Sequence, residues 1–131
     1  MKLDSRTIRD KEQITIDIPN YQDLKLNDKF FFIGSCFSTE MSSRLSERLI
    51  PTVSNPFGVV FNPITIFKQL NYIFSGDDNY LGLTLHEGKW HALNLSNKFQ
   101  SENKDDLIEM VSNIRETALK NIIESSQIII T

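Results

Sequence analysis

A single cysteine, Cys36, stands among 131 residues, and that scarcity removes whole classes of protein. No internal disulfide framework can form and no thiolate-rich zinc site can be built, so the thiol is either core filler or chemistry. Histidine is nearly as rare, with only His86 and His91. Cations are in deficit: 14 Lys and Arg against 17 Asp and Glu leave a net charge of -3. No basic stripe is present to track phosphates, which argues against a nucleic-acid partner. No apolar run approaches the roughly 18 residues of a membrane span, and Met1-Lys2-Leu3-Asp4-Ser5-Arg6 lacks the apolar stretch of a signal peptide. The expectation is a cytoplasmic protein with no membrane partner. Internal repeats and low-complexity tracts are also missing.

What is present suits one hydrophobic core. A chain of 131 residues, 40% hydrophobic and 24% charged, is long enough for a single domain and too short for two ordinary ones. Ile14, Ile16 and Ile18 alternate with Thr15 and Asp17 in a polar arm spanning 1–28, which predicts a short half-buried strand closed by Pro19. Phe30-Phe31-Phe32-Ile33 reads as a buried parallel strand. Gly34 allows a sharp turn, and a helix is predicted over about 38–49 with Phe37, Met41, Leu45 and Leu49 on its packed face. A second strand at 51–54 completes one βαβ unit.

Asn62-Pro63 starts a helix by capping free N–H groups and placing proline at the first helical position. Its predicted apolar set is Ile66, Phe67, Leu70, Ile73 and Phe74, and Gly76 stops it. Segments 80–85 and 89–95 flank His86-Glu87-Gly88 and predict a β-hairpin inserted at 80–95. Asn103 caps the longest helix, whose stripe is Leu107, Val111, Ile114, Ala118 and Ile122. Ser125-Ser126 breaks it before a strand at 127–131. The three parallel strands should order second-first-third, leaving 127–131 as an apolar edge in need of a partner.

Cys36 thus falls at a strand-to-helix corner. Free N–H groups and the helix dipole favour a thiolate there and can cradle a developing oxyanion. The plainer alternative is a small buried hydrophobe at a tight turn.

Ile33-Gly34-Ser35-Cys36-Phe37-Ser38 resembles the signature of the GSCFA domain family, a bacterial group related to the SGNH (GDSL-like) hydrolases. Asn55-Pro56-Phe57-Gly58-Val59-Val60-Phe61-Asn62-Pro63 is similar to that family's second hallmark, and Gly88-Lys89-Trp90-His91 to a third, looser segment. The resemblance implies an α/β fold, a three-layer SGNH/flavodoxin-like parallel sheet incomplete at its C-terminal side. In members of the family the strand that opens like 127–131 runs on, and a histidine-bearing segment comes later. On that comparison the chain reads as a single domain that is the N-terminal part of a longer protein.

The resemblance also assigns roles. Gly34, Ser35 and Cys36 align with the Gly-Asp-Ser block of SGNH hydrolases, which makes Cys36 the nucleophile and Ser35 its neighbour. Gly58 then falls where that pattern places a glycine whose N–H enters the oxyanion hole. Asn55 and Asn62 flank it, and Asn62 is better suited to capping its helix. Phe57 and Phe61 read as core or pocket wall. For a base the chain offers only His91 or His86. A two-residue Glu87-Gly88 turn sets His86 opposite Lys89 and His91 diagonal to it, about 7 to 8 Å away. No third ligand is placed to help, so neither zinc nor any other cofactor is expected. The plainer reading of both is surface or partly buried imidazoles beside Trp90. Relatives often carry further histidines shortly after the Trp-His pair, where this chain has Leu95 and Ser96.

Three functions follow as expectations. The first is a hydrolase or acyltransferase acting on ester or acyl groups, with a small-molecule or acylated substrate. The second is a noncatalytic binding module on the same fold. The third is a thiol redox protein, poorly supported without a resolving cysteine. The edge strand adds a structural partner, either a missing C-terminal half or a second copy in a homo-oligomer.

Overall fold

Phe30-Phe31-Phe32-Ile33 is buried along its whole length and forms β1 (Phe30–Ile33), the middle strand of a three-stranded parallel sheet. The computed structural model describes residue 25 and residues 27–131; the strand expected around Ile14, Ile16 and Ile18 lies outside the described residues. From β1 the chain passes through α1 (Cys36–Glu47) to β2 (Thr52–Ser54), which pairs with β1 from Phe30↔Thr52 to Phe32↔Ser54. The last strand, β6 (Gln127–Ile130), pairs with the other side of β1 from Phe30↔Gln127 to Ile33↔Ile130. The order β2–β1–β6 is the expected second-first-third.

Helix α1 corrects the expected packing face. It runs from Cys36 rather than Ser38, and the residues it buries are Ser38 and Ser42. A seam of hydroxyls one helical turn apart meets the sheet: Ser38 Oγ lies 2.8 Å from Thr131 Oγ1, and Ser42 and Ser46 lie 2.7 and 2.9 Å from Thr52 Oγ1. Short hydroxyl side chains let the helix sit close to the strands while satisfying every oxygen they bury. The apolar stripe is rotated outward in consequence. Phe37 is exposed, Met41 and Leu45 are half-buried, and Leu49 lies beyond the helix with its side chain in solvent.

Helix α2 (Pro63–Ser75) follows the predicted punctuation. Asn62 Oδ1 accepts from the Ile64 N–H at 2.8 Å, Pro63 opens the helix, and Gly76 ends it in the left-handed conformation. Its buried face, however, is Ile66, Gln69, Tyr72 and Ile73, while Phe67 and Phe74 are exposed. Burial, aided by the nearby Asp78 charge, raises the Tyr72 pKa. Gln69 enters the core because its Nε2 donates to the Asn94 carbonyl at 2.7 Å.

The next segment begins as a 3₁₀ turn (Asp78–Leu81), not as strand, because Asp77 caps it at the Asn79 N–H and Asn94 Nδ2 claims the Tyr80 carbonyl. Strands β3 (Leu83–His86) and β4 (Lys89–Ala92) then form the expected hairpin, with His86 opposite Lys89. Both turn residues have positive φ, 49° at Glu87 and 77° at Gly88, as a two-residue type I′ connection requires. β4 stops at Ala92, short of the expected 95, since the Leu93 and Asn94 N–H groups donate back to Gly82 and Leu81. A strand the sequence did not suggest, β5 (Gln100–Ser101), adds to β4.

Helix α3 (Lys104–Glu124) is capped by Asn103 and buries Leu107, Val111, Ala118 and Ile122, with Ile114 partly buried. Lys29 ties its end to the start of β1, donating to Asn121 and Glu124 at 2.9 and 2.8 Å; this hydrogen bond holds the Glu124 carboxyl below its ordinary pKa. One core serves both sheets: Phe31 and Ile33 of β1 share it with Phe57, Ala92, Leu95, Phe99 and the buried faces of α2 and α3. No helix among the described residues is long and apolar enough to cross a membrane.

Candidate functional site

The carboxyl ends of all three parallel strands converge on one corner. β1 delivers Gly34-Ser35-Cys36, β2 delivers Asn55, and β6 delivers Thr131. Such strand ends are where open α/β sheets place their ligands. Gly34 is confined there, since a Cβ on it would run into the Thr131 carbonyl oxygen.

Two residues clamp the corner. Asn55, itself buried with φ 44°, accepts from the Gly34 N–H at 2.8 Å. Its Nδ2 donates to the Ser35 carbonyl at 3.3 Å and to Thr39 Oγ1 at 2.9 Å. Thr131 Oγ1 accepts from the Ser35 N–H at 3.1 Å and lies 2.9 Å from Ser35 Oγ and 2.8 Å from Ser38 Oγ. Ser35 is the N-cap of α1, yet its hydroxyl serves Thr131 instead of the helix.

Cys36 is the first residue of α1 and its thiol is exposed, so the reading of Cys36 as buried packing does not hold. Among the described residues nothing accepts from the N–H groups of Cys36 or Phe37, whereas Ser38 donates to the Ser35 carbonyl at 3.0 Å. Two donors without an acceptor among the described residues therefore share one helix terminus with a soft nucleophile. The polar groups holding the corner are hydroxyls and an amide. None of them titrates near neutrality, so the corner can orient and donate hydrogen bonds but holds no strong base.

The remaining candidate residues are placed differently. The Gly58 N–H donates to the Asn55 carbonyl at 2.8 Å and is therefore engaged within the turn. Gly58 is needed for a close approach instead, as its φ is 92° and a Cβ would come within 2.5 Å of Ser96 Cβ. Asn62 spends its side chain on its helix cap. His91 lies on β4 between Thr84 and Gln100, with its ring 6.3 Å from that of His86. Among the described residues no hydrogen bond or ion pair links either histidine to Cys36, and no group of three metal-ligating side chains is found. Phe57 is core, while Phe61 is exposed on the wall of an apolar groove that ends at Thr131.

The sequence reading missed Thr131, Ser38 and Thr39. A signal existed for Ser38: serines at 38, 42 and 46 repeat at helical spacing.

Residues 29–131 match the GSCFA family. The chain belongs to that family. The matched span takes in the Cys36 corner, the Asn55 to Pro63 segment and the hairpin, so each structural piece of the candidate site is part of the GSCFA domain. No curated protein and no solved structure matches the chain.

Proposed function

We propose that this GSCFA domain carries the nucleophile of a hydrolase or acyltransferase acting on ester or acyl groups, on a three-layer SGNH/flavodoxin-like fold. The observation that supports this best is the exposed Cys36 thiol on the first residue of α1, beside the N–H groups of Cys36 and Phe37, which have no acceptor among the described residues. Attack by the Cys36 sulfur on a carbonyl carbon forms a C–S bond and places the negative charge on the carbonyl oxygen. That oxygen, at the helix terminus, meets two aligned donors and the positive end of the dipole. Collapse breaks the bond to the alkoxide, which leaves as an alcohol, and the enzyme keeps a thioester. Water or an acceptor hydroxyl then takes the acyl group and regenerates the thiol.

Ser35, Asn55 and Thr131 position the corner. Proton transfer calls for a base from outside it, and His91 is the candidate within this chain. General acid–base help is worth about 100- to 10,000-fold, so acylation of the chain should outrun its release. Incubation with an activated ester, followed by intact-mass measurement, should show one acyl adduct that disappears in Cys36→Ser. Repeated turnover should be slow. An adduct that forms no faster on the folded chain than on the denatured one would sink this reading.

One observation favours a noncatalytic binding module instead, namely that the Gly58 N–H is already engaged by Asn55. In that case an acyl ligand would bind without any adduct on Cys36.

A further inference from the structure

The hydroxyls of Ser35, Ser38 and Thr131 meet at the Cys36 corner, and hydrogen-bond capacity fixes the direction of their protons. Thr131 Oγ1 lies 2.9 Å from Ser35 Oγ and 2.8 Å from Ser38 Oγ, and it accepts from the Ser35 N–H at 3.1 Å. A hydroxyl has one proton to give and two lone pairs to receive with. The Ser35 N–H takes one lone pair of Thr131, so one of the two serine hydroxyls donates to Thr131 and the other accepts from it. Ser38 is wholly buried, and Thr131 Oγ1 is the one partner of its hydroxyl among the described residues. A buried O–H without an acceptor is costly, so Ser38 is the donor. Thr131 then gives its own proton to Ser35 Oγ. The proton of the half-buried Ser35 hydroxyl cannot return to Thr131, and among the described residues it has no other acceptor. The backbone beside it is held as firmly. The Ser35 carbonyl accepts from the Ser38 N–H at 3.0 Å and from Asn55 Nδ2 at 3.3 Å. Because that peptide is planar and trans, the Cys36 N–H is fixed pointing the opposite way.

We propose that the Ser35 hydroxyl is a side-chain donor to the oxyanion, joining the N–H groups of Cys36 and Phe37, and that Ser38 and Thr131 are the positioning residues that aim its proton. The inference rests on Cys36 as the nucleophile and adds to it a group that touches the reacting oxygen. When the Cys36 sulfur bonds to the carbonyl carbon, the electron pair of the C=O bond moves onto oxygen. A donor oriented beforehand meets that charge without rearrangement. The run from Ser38 through Thr131 to Ser35 ends on the anion, and each hydrogen bond in it polarises the next. The corner therefore distinguishes acyl electrophiles, whose attack creates an oxyanion, from alkyl electrophiles, whose attack creates none.

Two reactions of the same thiol test this. Acetylation of Cys36 by p-nitrophenyl acetate passes through an oxyanion, whereas alkylation by iodoacetamide displaces iodide at a saturated carbon. Both are followed by intact mass. Ser35→Ala should acetylate about 100-fold more slowly than the wild type, the loss expected for one oxyanion donor, and should alkylate at the wild-type rate. Ser35→Thr keeps the hydroxyl and should recover most of the acetylation. Thr131→Val removes the proton that Ser35 accepts and should slow acetylation alone, while Thr131→Ser should not. Equal acetylation of the wild type and Ser35→Ala would overturn this proposal and leave Cys36 as nucleophile. A fall in alkylation as large as the fall in acetylation would also overturn it, reducing Ser35 to a support of the helix start. A wild-type chain that alkylates but takes no acetyl group would overturn the nucleophile reading itself, and the role of Ser35 with it.

Discussion

Asn55 does more for the corner than its place between two strands and a turn suggests. One side chain accepts from Gly34, donates to Ser35 and Thr39, and sits on a backbone with φ 44°. Asparagine is among the few residues that take this left-handed region readily, because its short amide can satisfy local backbone groups. Its loss should therefore cost twice. Removing the acceptor leaves the buried Gly34 N–H unsatisfied, at about 1–3 kcal/mol, and a residue with an ordinary Cβ adds about 1 kcal/mol of backbone strain. Asn55→Ala should lose both contributions, while Asn55→Gly should lose only the hydrogen bonds. Urea unfolding of the two variants separates them. If Asn55→Gly unfolds at the wild-type midpoint, the clamp contributes nothing and Asn55 is there for its backbone alone.

At the scale of the element, α1 shows how a helix end can be well bonded and still uncomfortable. The Ile50 N–H donates to the Leu45 carbonyl and the Leu49 N–H to that of Ser46, which is the Schellman pattern. The residue at its left-handed position is normally glycine, and here it is Leu49, with φ 61° and a 91% exposed side chain. Leu49 gains almost nothing by burial and pays for its Cβ. Leu49→Gly should stabilise the chain by about 1 kcal/mol, read as a higher midpoint in thermal or urea unfolding. An unchanged or lower midpoint would mean that the flexibility glycine adds to the unfolded chain outweighs the relieved strain. This element also shows where the sequence was silent. Asn62-Pro63 with Gly76, Asn103, and Glu87-Gly88 each act within a few residues, so the ends of α2, the start of α3 and the hairpin turn were legible. The packed face of α1 depends on Thr52 and Thr131, and the latter lies 93 residues from Ser38. Apolar spacing alone pointed to the wrong stripe. The same distance problem hid Thr131 from the reading of the Cys36 corner, while the cysteine and Asn55 were visible through their motifs.

For the whole molecule the decisive fact is that two sheets share one core. Phe57, fully buried, lies between them: its ring packs on Tyr72 of α2 at 5.8 Å and edge-on against Phe99 at 6.0 Å, just before β5. The loop beyond it is stitched to both sides, because the Ser96 N–H donates to the Phe57 carbonyl and the Val60 N–H to the Gly34 carbonyl at the Cys36 corner. The hairpin is therefore not a separable appendage, and the chain should unfold as one cooperative unit. Trp90, the only tryptophan, sits on β4 and reports the hairpin sheet, while the three helices of the described residues contribute strongly to far-ultraviolet circular dichroism. The two transitions should coincide. Phe57→Ala removes the shared ring and should cost about 3–5 kcal/mol, moving both transitions downward together and by the same amount. Should Trp90 fluorescence change first, in the wild type or the variant, the hairpin would be an independently melting unit. The packing at Phe57 would then be a contact between two parts and not the centre of a single core.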